Sequence, residues 1–145
     1  MDADLSHEPK YLPDMIETLR SKVDFVIGSR NIDEGGVEDW GLIRKFLSKF
    51  GSFYARTILQ APIRDFTGGF NMWNRELIKH FTTTGVKTQG YAFQIELKYR
   101  AFKKGYKFAE FPIIFPDRKK GESKMTLGIV LEAMWKTWQI KWMKP

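Results

Sequence analysis

Apolar positions recur at two spacings along this chain, and the switch from one to the other marks out its elements. Leu12, Met15, Ile16 and Leu19 repeat at helical spacing beside Pro9 and Pro13, which suit a helix start, and Ser21-Lys22 ends that helix. Asp24-Phe25-Val26-Ile27-Gly28-Ser29-Arg30 is a short β-rich run, expected as a buried strand. Its last residues are polar and leave the sheet at the carboxyl end, where α/β sheets bind ligands. Asn31 to Asp39 is acidic and contains Gly35-Gly36, so it reads as a loop. Ile43, Phe46, Leu47, Phe50, Tyr54, Ile58 and Leu59 then mark the apolar side of a long amphipathic helix. Arg44, Ser48 and Ser52 recur every four residues on its other side as a polar stripe.

Pro62 breaks that helix, and Asp65 to Trp73 combines a Gly-Gly turn with a strand. Arg75 to Phe81 reads as a short helix and Thr82 to Gly90 as a loop. Phe93, Ile95, Leu97, Tyr99, Ala101 and Phe102 lie in a helix ended by Gly105. Tyr106 to Phe115 alternates as a strand, Asp117 to Lys124 is a basic loop, and Met125 to Trp142 is a helix rich in Leu, Trp and Met. No internal repeat or linker is visible. This order predicts an α/β fold with a mostly parallel sheet and flanking helices.

The chain has 145 residues, which suits one domain, and 43% of them are hydrophobic, enough for a core. That composition excludes disorder and collagen-like arrays. With no cysteine, disulfide frameworks, thiolate zinc sites and cysteine nucleophiles are excluded. No apolar run is long enough for a transmembrane helix, and no signal peptide is evident. The formal net charge of +7 points to a negatively charged partner: phosphate, nucleic acid or an anionic membrane. Solvation alone is the competing explanation.

Five constellations offer chemistry. Asp2-Ala3-Asp4 places two carboxylates one residue apart, hard oxygen donors that suit Mg²⁺ or Mn²⁺ bound to a diphosphate. A solvated turn explains so short a motif equally simply. Arg30, Arg44, Arg118 and Lys124 come from separated segments and are suited to phosphate oxygens, with Ser48 one turn from Arg44 as an added hydroxyl donor. Asp65-Phe66-Thr67-Gly68-Gly69-Phe70 allows close backbone approach to a ligand, with Asp65 as a base, a sugar ligand or simply the cap of a tight turn. Gln94 and Glu96 lie near a helix start, where Glu96 binds an arginine, a sugar or only the helix dipole. Leu127, Leu131, Trp135, Trp138 and Trp142 run along one side of the last helix, interleaved with Lys136, Lys141 and Lys144, a pattern suited to a membrane interface or a partner.

Taken together these segments resemble the family 2 glycosyltransferases of GT-A fold, and within them most closely those that charge polyprenyl (dolichyl) phosphates with mannose. The resembling stretches are Asp2-Ala3-Asp4-Leu5-Ser6-His7-Glu8-Pro9, Val26-Ile27-Gly28-Ser29-Arg30, Arg44-Lys45-Phe46-Leu47-Ser48, Asp65 to Phe70, Gly90 to Glu96, and Asp117 to Met125. They follow the family's order and cover nearly the whole chain. The resemblance implies that Asp2 and Asp4 hold the metal and the nucleotide diphosphate. It implies that Arg30, Arg44 and Ser48 hold the acceptor phosphate, with Asp65, Gly68, Gly69, Gln94 and Glu96 also at the substrates. Arg118 and Lys124 match a basic loop that closes over both phosphates; with Asp4 they are the expected catalytic residues. Ser6 stands where relatives carry an amide near the metal.

The family's opening strands, which hold guanine and ribose, are not in this sequence. The expectation is a C-terminal portion of the domain at residues 1–124 followed by a Trp/Lys helix at 125–145. Loss of the first strands would expose a sheet edge, so low stability or self-association is expected of the chain alone. The activity implied is transfer of mannose from GDP-mannose to polyprenyl phosphate, inverting and dependent on Mg²⁺ or Mn²⁺, with this chain alone expected to be inactive. The implied place is the cytosolic face of a membrane, peripheral to it, with a membrane-anchoring partner and no nucleic acid. Competing readings are a glucosyl or aminosugar transferase on the same acceptor, and a basic membrane-surface module without catalysis.

Overall fold

The computed structural model describes residues 7–116 and 127–143. A 3₁₀ turn at Pro9–Tyr11 leads into α1 (Leu12–Arg20), and β1 (Phe25–Ser29) and β2 (Gly36–Val37) follow. Next come α2 (Leu42–Leu59), β3 (Asn71–Trp73), α3 (Arg75–Thr84) and α4 (Tyr91–Lys103). The chain continues through β4 (Phe108–Pro112) and β5 (Ile114–Phe115) to α5 (Leu127–Trp142). Both prolines predicted at the entrance of the first helix stand in first-turn positions, where a missing N–H leaves no bond unmade.

β1 is the middle strand of a three-stranded sheet in the order β3-β1-β4, and every one of its residues is buried. It runs parallel to β4 and antiparallel to β3. β2 pairs with β5 in a second, parallel ladder. The α/β architecture is as expected, and two of the three strand pairings are parallel, with β3 the antiparallel one. The alternation of β1 divides the core in two. Phe25 and Ile27 join the cluster built by α2, α3, α4 and Ile140 of α5. Val26 joins Met15, Trp40, Phe70, Ile113 and Phe115 under α1. The sheet is thus covered on both faces.

Three boundaries differ from the sequence expectation. The strand read over 106–115 is divided at Ile113: β4 stays beside β1, while β5 passes to β2. α3 runs on to Thr84, because the hydroxyls of Thr82, Thr83 and Thr84 bond back to the carbonyls of Lys79, Lys79 and His80, and Gly85 at φ 69° ends it. The described part of the 125–145 segment is not a separate unit. α5 packs on α2 and α4, and its Thr137 and Ile140 are buried.

The largest correction concerns α2. Its inward side takes in Ser48 and Ser52 of the stripe read as polar, buried beside Ala55 and beside Leu59, which the sequence reading put on the apolar side. Leu42, Ile43, Phe46 and Phe53 are instead 66–84% exposed. The small residues let the helix lie close to the polar Asp65–Gly68 turn, where Ser52 Oγ meets Thr67 Oγ1 at 3.2 Å. A helix that spends its polar side on an internal turn leaves its apolar side outside.

Candidate functional site

The site grows from the carboxyl end of β1, as the strand's polar exit predicted. Arg30 follows the last strand residue and is captured by Asp65 from the turn after α2. Arg30 Nε donates to Asp65 Oδ2 at 2.8 Å and Nη2 to Oδ1 at 2.8 Å, the bidentate fork suited to a guanidinium and a carboxylate. The Arg30 backbone N–H donates to Oδ2 at 3.0 Å, and Nη2 also reaches Thr67 Oγ1 at 3.0 Å. Gly68 N–H donates to Asp65 Oδ1 at 2.9 Å, closing the turn. A Cβ on Gly68 would stand 3.2 Å from both carboxylate oxygens, so a side chain there would press on the salt bridge. Gly69, half-buried, carries the chain on to β3.

Asp65 is fully buried. Burial alone would push its carboxyl up; the Arg30 guanidinium, its hydrogen bonds and the nearby Lys98 outweigh that and hold the group well below the ordinary carboxylate range. It is therefore an anion at neutral pH, with its oxygens already accepting from Arg30 and Gly68. Of the readings open in the sequence, the turn-capping one is what the geometry shows, with the salt bridge added to it. The Arg30 guanidinium is raised: burial opposes its charge, but Asp65 favours it more.

Arg30 stands in the wall between two contiguous clefts. One, of about 230 Å³, runs between the 31–40 loop and α2 and includes Trp40, Lys45, Ser48 and Lys49. The other, of about 420 Å³, opens toward Lys49, Phe53, Arg56 and Arg64. Arg44 lies against this wall, its guanidinium 3.7 Å above the Trp40 ring, while Arg30 approaches the same ring at 5.7 Å. The structure therefore gathers Arg30, Arg44 and Ser48 as the sequence suggested, and adds Trp40, Lys45, Lys49, Arg56 and Arg64. Six cations and one hydroxyl around these clefts suit a phosphate group.

Two expected site residues have structural partners. Glu96 is buried, accepts the N–H groups of Lys87 and Thr88 at 2.8–3.1 Å, and pairs with Arg100 at 2.9 Å. Burial would raise its carboxyl, but those donors hold it lowered. Its role is to brace the 85–90 loop; of the options left open, the arginine is the one realised, and no sugar reaches a carboxylate so enclosed. Gln94 Oε1 accepts from Asn71 Nδ2 at 2.9 Å, tying α4 to β3. Asp2, Asp4, Ser6, Arg118 and Lys124 lie outside the described residues, as does Met125.

Besides the added cleft residues, two charged residues behind the site were not foreseen. Lys98 of α4 is fully buried, and its Nζ donates to the carbonyls of Asp65, Phe66 and Gly68 at 2.8, 3.2 and 2.8 Å. Glu110 of β4 accepts the N–H groups of Arg64 and Asp65 at 2.9 and 3.0 Å. Both had a signal. Lys98 lies three residues from Ile95 and from Ala101, on the apolar side of its helix, and Glu110 is the register partner of the buried Ile27.

Beside the cleft lies an apolar surface. Phe46 stacks on Phe50, and Phe50 meets Tyr54, whose hydroxyl accepts from Trp138 Nε1 at 2.8 Å. That chain of rings joins exposed Leu42, Ile43 and Phe53 of α2 to exposed Leu131, Trp135 and Trp142 of α5. No helix among the described residues is long and apolar enough to cross a membrane.

Comparison with known proteins gives the family. The family model described as glycosyl transferase family 2 matches residues 1–82. The chain is 38% identical over 134 residues to an undecaprenyl-phosphate mannosyltransferase of Micrococcus luteus, which covers 92% of this chain and 55% of that protein. It is 38% identical over 143 residues to a polyprenol monophosphomannose synthase of Mycolicibacterium smegmatis, covering 97% of this chain and 54% of that protein. The chain thus spans about half the length of the curated relatives it matches. On the family model and on both relatives, it belongs to glycosyltransferase family 2.

Proposed function

We propose that this chain carries the acceptor-binding part of an enzyme that transfers mannose from GDP-mannose to a polyprenyl phosphate with inversion at the anomeric carbon. The observation that carries the reading is the cleft: a guanidinium locked in place by a buried carboxylate, with Ser48 and further cations around it, on the helix whose outer side is apolar. A polyprenyl phosphate has that pairing of an anionic head and an apolar tail. Its second pKa lies near ~6, so at neutral pH it is mostly a dianion and needs no general base. A phosphate oxygen attacks the anomeric carbon, the bond from that carbon to the diphosphate breaks, and the nucleoside diphosphate leaves.

The difficulty of this reaction is electrostatic: two anionic phosphates must meet, and the leaving group must be stabilised. Arg30, Arg44, Ser48, Lys45 and Lys49 address the first part. Asp2 and Asp4 offer the hard oxygen donors that Mg²⁺ or Mn²⁺ takes, and such an ion would neutralise the departing diphosphate. Arg118 and Lys124 would close over both phosphates. Because the acceptor's tail stays in lipid, the enzyme works on the cytosolic face of a membrane. The exposed face of α2 and α5 supports that placement, and a membrane-anchoring partner would reinforce it.

The test is mannosyl transfer from GDP-mannose to a short polyprenyl phosphate, by the 145-residue chain and by the chain joined to any in-frame upstream coding sequence. It is run with Mg²⁺, with Mn²⁺ and with EDTA. Metal-dependent product is the expected result. Product from UDP-glucose or an aminosugar donor alone would replace mannose with that sugar. No transfer from any nucleotide sugar by either form would overturn the reading.

A further inference from the structure

We propose that Lys98 is a positioning residue for the acceptor phosphate: by holding the Asp65–Gly68 turn it fixes where Arg30 presents its guanidinium. The inference rests on the acceptor reading above. An ammonium has three N–H donors, and Lys98 directs them to three carbonyls of this turn at 2.8–3.2 Å. Glu110 takes the two N–H groups at the start of the same turn from the opposite side. The backbone of residues 64–68 is thereby gripped by a cation from α4 and an anion from β4. The Asp65 carboxylate, carried by that backbone, points at Arg30.

The charges balance locally. Lys98 and Arg30 face Asp65 and Glu110, two cations against two carboxylates drawn from α4, the end of β1, the turn and β4. Well-packed apolar residues stabilise a core as well as such a cluster or better. What the charged cluster supplies instead is a single geometry for the turn, and the outward product of that geometry is Arg30. Its Nε and Nη2 are spent on Asp65 and Thr67, whereas Nη1 has no acceptor among the described residues. Both clefts include Arg30, so a phosphate entering either one meets a guanidinium that cannot swing toward it.

Lys98 also makes the device sensitive to pH. Burial pushes its ammonium down to about 7, with Asp65 and Glu110 pulling up and Arg30 pushing down. Above that pH the neutral amine keeps two donors for three carbonyls, and the grip loosens.

The experiment measures binding of farnesyl phosphate to the 145-residue chain by calorimetry. Lys98→Met should weaken binding about tenfold, and by less than about twofold when Arg30→Lys is already present. Equal losses in both backgrounds would mean a merely structural residue and would overturn the inference. Glu110→Gln, a milder change on the other side of the turn, should show the same dependence on Arg30 and serves if Lys98→Met does not fold. Between pH 7 and 9, where the ligand is already dianionic, affinity should fall in the unsubstituted chain and stay level in Lys98→Met. Affinity lost on Arg30→Lys but kept in both turn variants overturns the inference alone. No binding by the unsubstituted chain overturns the acceptor reading and the inference together.

Discussion

At the scale of single residues, the centre of the molecule is a salt bridge that neither partner can leave. Arg30 and Asp65 are joined by two 2.8 Å bonds, and the carboxylate is fully buried. Removing one partner strands a charge in the interior, so Asp65→Ala should cost about 3–5 kcal/mol of stability, read by urea unfolding. Acid should act on the same bond. The Asp65 carboxyl titrates below its unfolded value, so its stabilisation is complete above about pH 4 and is lost as pH falls toward the depressed folded value. Urea midpoints between pH 5 and 2 should drop in the native chain, and the fall should be shallower in Asp65→Asn. In the sequence, Arg30 was legible because a strand delivers it to the ligand end of the sheet. That Asp65 serves Arg30 rather than the substrate was not legible. The two are 35 residues apart, and only packing brings them within reach.

At the scale of elements, α2 decides what the surface can do. Helical spacing in the sequence groups its residues by side, Leu59 excepted, but does not say which side faces in. Apolar bulk on one side of a helix normally points to the core; here the polar Asp65–Gly68 turn claims the other side, and Ser48 and Ser52 are buried against it. Two changes separate these roles. Phe46→Ser with Phe53→Ser removes rings that are exposed in the folded chain and should leave thermal stability within about 0.5 kcal/mol. It should still cut sedimentation with lipid vesicles more than about tenfold, since each ring buried in lipid contributes about 1.5–3 kcal/mol. Ser52→Leu adds bulk to the inward side and should destabilise by about 1–3 kcal/mol. The last helix was easier to read, because four large apolar residues stay on one side after Thr137 and Ile140 are taken into the core.

At the scale of the whole molecule, a covered sheet carries two contiguous clefts that share Arg30 and Lys49, and their cations are of two kinds. Lys49, Arg56 and Arg64 are exposed, so salt screens them, whereas the Arg30 side chain is only 9% exposed and is screened far less. Farnesyl phosphate affinity should therefore fall as salt rises from about 0.05 to 0.5 M and then level off. The level remaining should disappear in Arg30→Lys. The α/β class, the order of elements and the family were all readable from the chain, because strand and helix periods and six short motifs survive in linear order. The cleft was readable only in part. Trp40, Lys45 and Lys49 become its walls through the folding of the 31–40 loop against α2, which no local pattern announces.

Because α2 places Ser48 in the cleft and Phe46 outside it, one rotation angle about one helix axis sets both. On the proposed acceptor reading, attachment to lipid and recognition of a headgroup would therefore not be separately adjustable traits. A lineage that adapts to a thicker or more anionic bilayer by turning this helix would change its choice of acceptor in the same step. A lineage held to one acceptor would be confined to substitutions that leave the angle alone, on the outer rings.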